Sequence, residues 1–119
     1  EQLAQGYQDH PDTLAILQES VRSDKDSWLR STAIEQLAQA WHAQPWLWEF
    51  LCDRSLNDPF ERDQDEDYDN VNPRQVALNV ILEYYPNHSQ TRSLLQDRAE
   101  HDPDPKLREF AQRQLAKLR

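Results

Sequence analysis

The chain has 119 residues, of which 37% are hydrophobic, and a mean hydropathy of −1.02, material for one domain with one modest core. Its formal net charge of −9 opposes binding to nucleic-acid phosphates and to anionic membrane surfaces. No apolar run is long enough to cross a bilayer or to act as a leader, and the single Gly argues against hairpins and phosphate-cradling loops. The lone cysteine, Cys52, excludes an internal disulfide and fits a reducing, cytoplasmic setting. A start at Glu1 and the absence of Met point to a piece of a longer protein.

In chain order, "EQLAQGYQ" (1–8) reads as the leftover second helix of a pair. "HPDTLAILQESV" follows as a first helix, with Leu14, Leu17 and Val21 on one face. The acidic turn "SDKDS" leads to the second helix, "WLRSTAIEQLAQAW". The pattern then recurs as "QPWLWEFLCDRSL", the turn "NDPFE", and "PRQVALNVILEYY". It recurs once more as "HSQTRSLLQDRAE", the turn "HDPDP", and "PKLREFAQRQLAKL". Val76, Ala77, Val80, Ile81 and Tyr84 form an apolar stripe. Asn72-Pro73 and Asp104-Pro105 each look like an N-cap followed by proline at the first helical position. Pro86 stops the helix before it. The expectation is about seven helices in one all-α domain: the leftover helix, then units 9–42, 43–86 and 87–119.

The units repeat. "EQLAQ" stands at 1–5 and again at 35–39, an offset of 34 residues that also matches Leu17 to Leu51. An offset of 44 carries Leu51 to Leu95, Arg54 to Arg98, Ala33 to Ala77 and Leu37 to Ile81; a further 34 carries Ala77 to Ala111 and Ile81 to Leu115. The middle unit therefore holds ten additional residues, at 62–71. A helix pair cannot bury both faces alone, so units of this kind stack into an α-solenoid of antiparallel helix pairs.

Two polar positions recur with the repeat. Asp24, Asp58 and Asp102 fall in the turns, and Arg30, Arg74 and Arg108 fall one turn into the second helices. An Asp in such a turn can accept backbone N–H groups and can pair with the planar guanidinium of its own or a neighbouring unit. The expected role of these six residues is a structural ladder.

The segment "DPFERDQDEDYDN" (58–70) carries seven acidic residues against one Arg, so it supplies −6 of the net charge. As a calcium loop it fails. Counting from Asp63 puts Tyr68 where glycine is needed and Arg74 where a bidentate Glu is needed; counting from Asp65 puts Asn70 and Val76 there. Its middle reads as a solvated insertion, whose closure entropy grows slowly with length. It is also the sharpest candidate for specificity, with Phe60 and Tyr68 as apolar anchors among Asp63, Asp65 and Asp67. Trp46 and Trp28 are further contact candidates, because both stand where the other units have polar residues. Trp41 and Trp48 read as packing residues, and Cys52 as a small buried hydrophobe. His10, His42, His88 and His101 lie at helix ends, with no zinc spacing.

Paired helices with a turn Asp and a following Arg resemble HEAT repeats. "PDTLAILQESV", "FLCDRSLNDPFER", "NPRQVAL" and "YYPNHSQTRSLLQDRAEHDPDPKLREFAQRQLAKL" look more closely like the C-terminal HEAT array of cyanobacterial NACHT-type signalling proteins. The resemblance implies an NTPase core upstream, with the array as sensor or scaffold. No residue of this chain matches a phosphate-binding loop, so no catalysis and no cofactor are carried over. The expected partner of a monomeric chain is a protein, and neither nucleic acid nor membrane. Phycobilisome lyases use related repeats, which keeps a lyase-like accessory role open beside a divalent-cation response of the acidic loop.

Overall fold

The computed structural model describes residues 11–23, 25–61 and 71–118. These form six α-helices and no strand: α1 (Pro11–Ser23), α2 (Ser27–Trp41), α3 (Trp46–Asn57), α4 (Pro73–Tyr84), α5 (Thr91–His101) and α6 (Pro105–Lys117). Segment 1–8, expected as a leftover helix, lies outside the described residues.

Three of the helices begin in the same way. Asp26 accepts the Trp28 N–H, Asn72 the Arg74 N–H and Asp104 the Lys106 N–H, at 2.8, 2.9 and 3.1 Å. Each of these residues is extended and satisfies a donor that the first helical turn leaves open. Pro73 and Pro105 follow their caps, where a missing N–H costs nothing. Arg30 and Arg108 stand four residues after their caps, one turn into α2 and α6. Arg74 stands only two after Asn72, so its expected place one turn into the helix is corrected.

The packing is densest between α1 and α2, α3 and α4, and α5 and α6, while α2 also packs on α4. One core draws Leu17 and Val21 from α1, Ile34, Leu37 and Trp41 from α2, and Leu47, Phe50 and Leu51 from α3. Ala77, Val80 and Ile81 of α4 complete it. Leu78, on the other side of α4, joins Leu95, Leu107, Phe110 and Ala111 in a second core. α4 is thus the shared wall. Leu17, Leu51 and Leu95, which the repeat aligns, are all buried, as are Ala33, Ala77 and Ala111. The extents of 38 × 37 × 19 Å describe a slab about two helices deep, given a helix diameter of about 10–12 Å.

Ser31 is buried on α2, and its Oγ has no hydrogen-bond partner. A hydroxyl desolvated without compensation costs free energy, and Ala is the better helix former. Ser31→Ala should therefore raise stability by about 1 kcal/mol, visible as a higher thermal midpoint. A lower midpoint would contradict this reading of the hydroxyl.

Candidate functional site

Asp58 and Asp102 each terminate a first helix. Their N–H groups bond the carbonyls of Arg54 and Arg98, and both then turn extended, with φ/ψ of −62/134 and −66/135. Each carboxylate folds its own turn by accepting a backbone N–H two residues on, Phe60 at 3.0 Å and Asp104 at 2.9 Å. The same carboxylates receive an arginine from the helix pair before. Arg30 Nε and Nη2 both donate to Asp58 at 2.9 Å. Arg74 Nε and Nη2 donate to Asp102 at 2.8 and 3.0 Å. Side-chain exposure is 7% and 0% for the first pair and 3% and 0% for the second, so both are two-pronged, charge-assisted and dry.

The second arginine group, Nη1, reaches backward along its own unit. Arg74 Nη1 donates to the carbonyls of Asp58 and Phe60 at 2.7 and 3.1 Å. Arg108 Nη1 donates to the Asp102 carbonyl at 2.6 Å. One arginine therefore braces the turn of its own unit and grips the turn of the next. Asp24, the first expected member, lies outside the described residues.

Two further contacts belong to this seam. Asn72 Nδ2 donates to Asp104 Oδ2 at 2.8 Å, tying one N-cap to the next. Arg98 Nη1 donates to Asp102 Oδ2 at 3.1 Å, so Asp102 holds two arginines. The repeat had marked Arg54 and Arg98 as equivalent without giving them a role. Both also hold the aspartate before them, Asp53 and Asp97, at 2.7 Å. Burial would raise the Asp53 pKa, but hydrogen bonds from Arg54 and Asn57 hold it below the ordinary value. That contribution is present above the unfolded carboxylate pKa and is lost as pH falls through the lowered one.

Where two turns meet, the surface opens into a groove of about 580 Å³ lined by Leu56, Pro59, Phe60, Glu61, Pro103 and Pro105, with Asp58, Arg74 and Asp104 contributing below. The groove is mostly apolar. Leu56, 41% exposed, is one of few large hydrophobic side chains left open to water. No local signal in the sequence marks it, because its walls are 44 residues apart in the chain (Pro59 and Pro103).

The expected contact residues divide. Trp28 is exposed at 57%, at the second position of α2. Trp46 is half-buried and packs edge-on against Phe50, with ring centroids 6.1 Å apart. Phe60, expected as an apolar anchor, is buried at 6% by the turn at Asp58 and lines the groove. Asp63, Asp65, Asp67 and Tyr68 lie outside the described residues. Trp41 belongs to the core, and Trp48 stacks on His88 with centroids 3.6 Å apart. Among the described residues, no three His, Cys, Asp or Glu side chains come together to hold a metal ion.

Cys52 is half-buried rather than buried. Burial, with the nearby Glu49 charge, pushes its thiol up to about 11 from 9.0. Since only the thiolate reacts, alkylation at mildly alkaline pH should be about 100-fold slower than in the urea-unfolded chain. Equal rates would contradict the placement.

No family model matches the chain, and neither a curated protein nor a solved structure is similar to it at a significant level. The described residues form an all-helical architecture whose turns are joined by buried arginine–aspartate pairs. No described helix is long and apolar enough to cross a membrane.

Proposed function

We propose that the chain is an α-solenoid of HEAT-like antiparallel helix pairs. We further propose that it serves as a protein-docking or scaffold module of a NACHT-type cytoplasmic signalling protein, without catalysis of its own. The observation that carries this reading is the equivalence of two joints. Arg30 with Asp58 and Arg74 with Asp102 are both 28 residues apart, both buried and both two-pronged. A joint that recurs from one helix pair to the next is what a stacked array needs, since each pair is held only by its neighbours. The signalling context comes from the sequence resemblance. The docking role is supported by the open apolar groove lined by Leu56, Pro59, Pro103 and Pro105, because contiguous exposed apolar surface commonly marks a binding site.

Affinity capture on the immobilised chain, with photo-cross-linking and mass spectrometry, tests this reading. A protein cross-linked to the chain is the expected result. Retention of a tetrapyrrole or a metal ion, with no protein above background, would overturn it.

A further inference from the structure

We propose that the groove between the Leu56–Glu61 turn and the Pro103–Pro105 turn receives a peptide segment of defined chemistry: an apolar or aromatic side chain flanked by Lys or Arg. This deepens the docking reading and rests on it.

Shape and apolarity set the central residue. A groove of about 580 Å³ falls within the size of ordinary ligand sites, about 300–1,000 Å³, and holds one large side chain with part of its backbone. Leu56 and the rings of Pro59, Pro103 and Pro105 supply the apolar walls, with Phe60 beneath.

Hydrogen-bond chemistry sets the flanks. The prolines have no N–H. The Phe60 N–H is given to Asp58 and the Asp104 N–H to Asp102. Arg74, the one cation among the described lining residues, makes four hydrogen bonds to Asp102, Asp58 and Phe60. These donors are thus taken up within the protein, and the exposed charged group on the described rim is the Glu61 carboxylate, an acceptor that suits a ligand carrying N–H groups.

Charge points the same way. Glu61 stands exposed on the rim. Between Glu61 and Val71 the sequence adds five acidic residues against Arg62. A field of that sign attracts a basic segment and repels acidic peptides, phosphates and anionic lipid.

Fluorescence anisotropy with short labelled peptides tests the proposal on the whole chain. The probe carries one Phe between Lys-Arg pairs. One control replaces the basic residues by Glu, and the other replaces Phe by Ser. Saturable binding of the probe, weakening with salt, is expected, with both controls at least about tenfold weaker. Leu56→Ser and Glu61→Lys, each with unchanged circular dichroism, should lower affinity about tenfold. Neutralising the acidic residues of 62–70 should weaken binding and flatten its salt dependence. The proposal falls if the Glu control binds as well as the probe, or if Leu56→Ser and Glu61→Lys both leave affinity unchanged. Tighter binding after neutralisation also overturns it, because the insertion would then be a competitor for the groove. If the probe fails while affinity capture still retains a protein, this inference falls and the docking reading stands.

Discussion

Arg74→Ala should lower the unfolding free energy by about 3–5 kcal/mol, a large share of the roughly 5–15 kcal/mol that keeps a domain folded. The argument is one of burial. The Arg74 side chain is 3% exposed and its Asp102 partner is 0% exposed. Removing the guanidinium takes two of its donors from a carboxylate in a dry seam, leaving Arg98 as its charged partner, and it also strands the carbonyls of Asp58 and Phe60. The single substitution thus weakens one turn and detaches the next. Urea denaturation followed by tryptophan fluorescence reads the loss as a lower midpoint. A change below about 1 kcal/mol, the size of an exposed ion pair, would mean that the seam is wet.

Asp102→Ala should cost about as much, roughly 3–5 kcal/mol. Its carboxylate accepts from Arg74 twice, from Arg98 once and from the Asp104 N–H. Loss of the carboxylate leaves the Arg74 charge buried and opens the turn that starts α6. Asp102→Asn should recover part of the loss, since an amide oxygen can still accept the Asp104 N–H. Full recovery in Asp102→Asn would place the whole effect in the turn and none in the ion pair. Asp65→Ala with Asp67→Ala, by contrast, should not lower the midpoint, since removing like charges from an acidic run relieves repulsion.

Much of this frame was legible in the sequence because its signals are local or periodic. Asn72-Pro73 and Asp104-Pro105 mark helix starts through side-chain chemistry that acts within two residues. The 34- and 44-residue offsets found Leu37, Ile81, Leu51 and Leu95, all of them buried. The recurrence of Asp and Arg named Asp58, Arg74 and Asp102. It left open whether each arginine pairs within its unit or across units. Geometry assigns the side-chain grip to the next turn and the Nη1 grip to the unit's own carbonyl.

What stayed hidden depends on contacts distant in sequence. Phe60 lies among acidic residues and reads as loop, yet Asp58 and Arg74 hold its backbone at both ends, and the ring is buried. The groove arises only when turns 44 residues apart meet (Pro59 and Pro103), so no window on the chain contains it. The Asn72-Pro73 start of α4 is legible in the sequence, but the place of Arg74 only two residues after that cap is not, because the repeat offset carries over residue equivalence and not distance from the cap.

The most direct measurement is a double-mutant cycle at both joints: Arg74→Ala with Asp102→Ala, and Arg30→Ala with Asp58→Ala, by equilibrium urea unfolding. If the pairs are equivalent buried joints, both cycles give a coupling of about 2–3 kcal/mol, each double variant costing much less than its singles combined. Additive costs at either joint would contradict the account of a repeating arginine–aspartate seam.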